Sequence, residues 1–150
     1  MSRSRPFRPF VQKNLAQMLE VRHIEPDEDG SFSFGYGPID IMVRVSEDLG
    51  LIALEFLALL LQNPKHPRRV LGALNQMNGC RIPLRVFKEG NDVVAAWVVP
   101  LETMDGRQFK DLCNLFCDAA DDIGRHLRRQ LGGRAPNRVP KSLLEEPVEA

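Results

Sequence analysis

Residues 67–102 read PRRVLGALNQMNGCRIPLRVFKEGNDVVAAWVVPLE, and the parsing of that stretch decides the fold. Val70, Leu71, Leu74 and Met77 recur at helical spacing and define one apolar face. Pro67 suits the first turn of that helix, where its missing N–H is not needed. Asn78-Gly79 is expected to end it, because both residues tolerate positive φ just past a helix C-terminus. Ile82, Leu84 and Val86 then alternate with Arg81, Pro83 and Arg85, the pattern of a strand with one buried face. Glu89-Gly90-Asn91-Asp92 is turn chemistry, and Val93 to Val99 is apolar at both parities. A strand of that kind is expected to be covered, or nearly so, on both sides, which puts it at the centre of the core. The stretch is therefore helix, strand, hairpin, strand, and it holds no catalytic motif.

Upstream, residues 1–8 (MSRSRPFR) read as a flexible basic arm. Val11, Leu15, Met18 and Leu19 share a helical face from Pro9 to about Val21. Glu25 to Gly30 is an acidic loop rich in turn formers. Phe32, Phe34 and Tyr36 alternate with Ser31, Ser33 and Gly35, and Ile39, Ile41, Val43 and Val45 alternate with Asp40, Met42 and Arg44. These are two short strands punctuated by Gly37-Pro38. Leu51 to Leu61 (LIALEFLALLL) has the composition of a helix but follows two strands by a hairpin-length turn, Ser46 to Gly50. It reads as a long strand, since a helix there would leave only a two-stranded ribbon before it.

Downstream, Asp105 is the expected N-cap of the longest helix. Phe109, Leu112, Cys113, Phe116, Cys117, Ala120, Ile123, Leu127 and Leu131 form its stripe, and Gly132-Gly133 stops it. Arg125, Arg128 and Arg129 complement the dipole at its C-terminal end. Residues 134–150, rich in proline with an acidic end, read as a disordered tail. The expectation is an α+β fold, an antiparallel sheet with helices packed on it in the order α-β-β-β-α-β-β-α, as a single domain over residues 9–133.

Composition narrows the function classes. The chain has 150 residues, 43% hydrophobic and 27% charged, with formal net charge zero, so no global field draws it to nucleic acid or an anionic membrane. Three cysteines, an odd number, and no apolar segment behind the basic N-terminus point to a reducing, cytoplasmic setting. The longest apolar run, Leu49 to Leu61, is interrupted by Glu55 and too short for a bilayer, so no membrane association is expected.

Candidate chemical groups read more simply as structure. Cys113 and Cys117 sit four apart, as metal ligands could, but within the apolar stripe, where free cysteine behaves as a small hydrophobe. His23, His66 and His126 belong to no zinc or nucleophile motif. Asp27, Asp29 and Ser31 imitate the start of a calcium loop, but Phe32 replaces its glycine and Pro38 its bidentate glutamate. Gly30, Gly35 and Gly37 fit no phosphate-binding loop and read as turn and bulge positions. No catalytic residue, metal site or cofactor is therefore expected.

Two features carry a functional reading. Leu51 to Leu61 and Val93 to Val99 are apolar at both parities, more than three helices on one sheet face need cover. Either the sheet is fully covered or the surplus is a surface for a partner subunit or a bound peptide. The partner-binding candidates are Leu57, Leu59, Leu61, Val94 and Val98, with Arg125, Arg128 and Arg129 steering acidic surfaces. The arginine-rich ends, Arg3, Arg5 and Arg8 with Arg125 to Arg138, also admit a nucleic-acid-associated accessory role.

The quoted stretch resembles the YbjN-like family, which is allied in fold to the class I type III secretion chaperones. The resemblance rests on Leu74-Asn75 and Asn78 at the helix end, Ile82-Pro83-Leu84 opening the strand and Phe87 closing it. The Glu-Gly-Asn-Asp turn, Val93 to Val99 and Pro100-Leu101-Glu102 complete it, over about residues 9 to 131. It implies a non-enzymatic, homodimeric domain that binds other proteins or peptides as a chaperone-like adaptor or sensory-transduction regulator. No catalytic residues carry over. The arginine-rich start and the acidic tail lie outside the motif.

Overall fold

The structure, a computed structural model, describes residues 7–79 and 84–136. The expected arm and tail lie almost wholly outside the described residues, as do Cys80 to Pro83. Helix α1 (Arg8–Leu19) leads into strands β1 (Phe32–Tyr36), β2 (Ile39–Asp48) and β3 (Leu51–Gln62). A single 3₁₀ turn (Pro67–Arg69) opens α2 (Val70–Gly79), followed by β4 (Arg85–Glu89), β5 (Asp92–Pro100) and α3 (Gly106–Leu131). The five strands form one antiparallel sheet in the order β1-β2-β3-β5-β4.

Leu51 to Leu61 is strand, in spite of its helix-forming leucines and alanines. The connection before it settles the matter: Asp48 pairs with Leu51, leaving Leu49 and Gly50 as a two-residue turn with φ of 52° and 81°. Two positive φ values in a row are the primed turn that joins twisted antiparallel strands. β3, rather than β5, is then the middle strand, because the chain returns through α2 and inserts β5 between β3 and the edge strand β4.

The core lies between one sheet face and α3. Ile52, Leu54, Phe56, Ala58 and Leu60 of β3 point at the helix and are buried. Phe109, Cys113, Phe116, Cys117, Ala120, Ile123, Leu127 and Leu131 answer from α3. At the centre the Phe56 ring stacks on Phe116 with centroids 5.3 Å apart, and Phe109 and Trp97 close the cluster at 6.5 and 6.0 Å. α3 starts where the sequence says: Asp105 accepts from the Gln108 backbone N–H, and the Gln108 side chain accepts from the Asp105 N–H, a reciprocal capping box. Cys113 and Cys117 are both buried in the stripe, and the hydrogen bond between their thiols, together with burial, pushes the Cys117 pKa up, away from thiolate chemistry.

Three local expectations are corrected. Leu71 is 66% exposed, because α2 lies over the sheet edge and turns only Val70 and Leu74 fully inward. Asn78 lies within α2 and is not among the residues of positive φ; its side chain instead bridges to β4. Gly35 is an ordinary β1 position opposite Asp40, while Gly30 and Gly37 hold positive φ in turns. Asp27 accepts from the Ser31 and Ser33 hydroxyls, and Asp29 accepts from the Ser31 hydroxyl and N–H, which lower its pKa.

Candidate functional site: the uncovered face of the sheet

Side chains alternate along a strand, so the positions of β3 and β5 that do not face α3 must point the other way. α1 and α2 both contact α3 and share its layer, so among the described residues no helix lies over this second face. The register arranges it in rows. Met42, Leu57 and Ala96 lie opposite one another across β2, β3 and β5. Leu59, Val94 and Phe87 form the next row, across β3, β5 and β4. Arg44, Glu55 and Val98 form a third. Leu57, Leu59 and Val94 are half-buried, and Val98 is 51% exposed.

Polar groups frame this apolar grid. Arg44 Nε lies 2.6 Å from Glu55 Oε1, neutralising both charges in place. Arg85 lays its guanidinium 5.3 Å from the Phe87 ring centroid, a cation–π contact at the β4 edge. A face with apolar rows at its middle and paired charges at its margin has the anatomy of a protein interface: dry centre, polar rim.

The β4 edge is closed to strand addition at one point. Asn78 Nδ2 donates to the Val86 carbonyl at 2.7 Å, and the Val86 N–H donates to Asn78 Oδ1 at 2.9 Å. One side chain thus occupies both outward main-chain groups of an edge residue, where another strand would otherwise pair.

The candidate residues divide. Leu57, Leu59, Val94 and Val98 come together on this face. Leu61 does not: the register slips between Leu59 and Leu61, a bulge that turns Leu61 inward and leaves it 0% exposed. The chain after α3 seals it, since a Cβ on Gly133 would meet Leu61 Cδ1, the Gln62 carbonyl and Pro64, each at 2.9 Å. The arginines belong to the helical layer. Arg125 pairs with Asp122 and lies 3.5 Å from Asp121. Arg128 is half-buried and donates to the Leu60 carbonyl at 3.3 Å, and its burial lowers its pKa. Arg129 remains exposed beside them. Arg128 is therefore a structural tether between α3 and β3, not a surface ligand. Met42 and Phe87 were missed as members of the face, although their parity in β2 and β4 would have placed them there.

Residues 6–138 match the family described as "T3SS (YopN, CesT) and YbjN peptide-binding chaperone 1". The chain belongs to that family. It is a peptide-binding chaperone-type domain, as the resemblance implied. Comparison with curated proteins finds no match. Among solved structures, a chain of the ExsC–ExsE complex matches at TM-score 0.67 with 14% identity, over 85% of this chain and 97% of that one. A chain of the HopA1–SchA chaperone–effector complex matches at TM-score 0.59 with 16% identity, over 86% and 98%. The ExoU–SpcU complex of the type III secretion system of Pseudomonas aeruginosa gives TM-score 0.57 at 16% identity, over 81% and 97%. These likenesses share the fold of the family, and none of them supports the nucleic-acid reading. No helix of the described residues is long and apolar enough to cross a membrane.

Proposed function

We propose that this peptide-binding chaperone-type domain works in the cytoplasm as a homodimeric adaptor or regulator, without catalysis, and receives a partner segment on the uncovered sheet face. The observation that carries this reading is the cross-strand grid of Leu57, Leu59, Val94 and Val98, apolar and left without a helix among the described residues. Burying such rows against a second chain removes apolar area from water at about 25 cal/mol per Å², the driving term of most association. The neighbour described as a chaperone–effector complex points the same way. Arg129, exposed on the helical layer, offers a local positive charge to an acidic group of a partner.

Size exclusion with light scattering, run on the natural chain and on Val98→Asp, tests the reading. A dimer that captures one dominant protein from its own cell extract, with that capture lost in Val98→Asp, is the expected result. A monomer whose captures are unchanged by Val98→Asp removes the sheet face from consideration.

A further inference from the structure

Two grooves flank the first turns of α3, away from the uncovered sheet face. One, about 480 Å³, lies between α1 and α3 and is lined by Lys13, Asn14, Gly106, Arg107 and Lys110 among others. The second, about 450 Å³, lies between α3 and the end of β5, with Val99, Pro100, Met104 and Leu112 in its wall. Asp111 borders both, so the two are separated only by the exposed ridge of the helix.

The first groove is basic. Lys13, Arg107 and Lys110 face a single carboxylate, Asp111, and none of the three cations has an ion-pair partner among the described residues. That is a local excess on a chain whose formal net charge is zero. Asn14, only 6% exposed, lines the wall. Its Nδ2 donates to the Phe10 carbonyl at 2.8 Å, which orients its Oδ1. That oxygen points at Gly106, whose added Cβ would lie 2.7 Å away. A free inorganic anion can satisfy only the cations, whereas a peptide offers side-chain carboxylates for the cations and apolar side chains for the adjoining groove.

We propose that the first turns of α3 form a bipartite docking site for an acidic–apolar linear segment of a client polypeptide. An aspartate or glutamate seats between α1 and α3, and an apolar side chain seats against β5. A helix with its side chains is ~10–12 Å across, and an extended chain advances ~3.3 Å per residue, so the two anchors lie about three to four residues apart. This inference rests on the peptide-binding reading, but it uses a surface different from the Val98 face.

Fluorescence anisotropy tests it with the full chain and a labelled synthetic peptide bearing two adjacent aspartates and, four residues later, Leu-Phe. Two control peptides carry lysines for the aspartates, or serines for Leu-Phe. The expected result is at least tenfold weaker binding of each control, and at least tenfold weaker binding of the parent peptide by the surface double variant Lys13→Glu, Lys110→Glu. Lys88→Glu, an exposed charge reversal on β4, should leave this binding unchanged, and circular dichroism confirms that each variant is folded. No binding of the parent peptide, or equal binding of the lysine peptide, would overturn the proposal. Displacement of the parent peptide by millimolar inorganic phosphate, with no preference for Leu-Phe, would also overturn it and leave a simple anion site. Loss of peptide binding in Val98→Asp but not in the double lysine variant would sink it while leaving the sheet-face reading intact.

Discussion

One sheet presents two faces made from the same apolar strands, and they have different fates. On the α3 side, Phe56 is fully buried within a cluster of four aromatic rings. On the other side, one position along β3 from Phe56, Leu57 is only half-buried, and nearby on β5 Val98 is 51% exposed. Composition does not distinguish these positions. What separates them is that the helices of the described residues form a single layer, and capping, stripe and register all commit that layer to one side. Apolar residues that a fold does not need for its own core remain available for another chain.

The largest effect expected from the comparison lies at Phe56. Phe56→Ala empties the middle of the covered face and should cost ~3–5 kcal/mol, read as a lowered urea midpoint with little change in slope. A loss below ~1 kcal/mol would mean that the covered face is as loosely held as the open one.

Asn78→Ala comes next. It withdraws both hydrogen bonds from Val86 at the β4 edge and should cost ~1–3 kcal/mol. It also bares main-chain groups on which another strand can pair, so light scattering should show association that grows with concentration. Destabilisation without new association would show that the clamp holds α2 but does not guard the edge.

A smaller effect, confined to alkaline solution, comes from the tie between β1 and α3. The Tyr36 hydroxyl donates to Asp118, and this hydrogen bond, with burial and the aspartate charge, pushes the phenol pKa from 10.0 up to about 12. The neutral phenol is the form the fold favours. Its contribution is therefore complete below pH 10 and disappears as pH rises from 10 towards 12. Tyr36 is the chain's only tyrosine, so near-ultraviolet absorbance titrates it alone. An upward shift that vanishes in Asp118→Asn is expected; a midpoint near 10 in the native protein would deny the contact.

Much of this architecture was legible in the chain. The hairpin-length connection from Ser46 to Gly50 outweighed the helical composition of Leu51 to Leu61, and Asp105 announced the start of α3. Those signals are local. The misreadings arose where distant segments decide. Leu61 follows the parity of Leu57 and Leu59 in the sequence, and only the slip against β5 and the closing turn at Gly133 carry it inward. Leu71 fits the helical stripe, but the helix stands at an edge, where the stripe has less to cover. The groove between α1 and α3 joins Lys13 and Asn14 to Arg107 and Lys110, and no spacing rule links residues so far apart. Arg128 looked like a free surface charge until the Leu60 carbonyl was seen beneath it.

Val98→Asp should have the smallest effect on stability and the most telling one on function. An exposed substitution away from caps and networks usually changes stability by no more than ~0.5 kcal/mol. The aspartate would extend from β5 toward water in the isolated chain, so its carboxylate stays solvated and the urea midpoint should hardly move. Against a partner the same carboxylate must be desolvated in the row beside Glu55, and two carboxylates cannot both be satisfied by Arg44. Association should then fail while folding persists. A urea midpoint that falls as far as that of Phe56→Ala would mean that this face is already covered within the chain, and the contrast between the two faces would be lost.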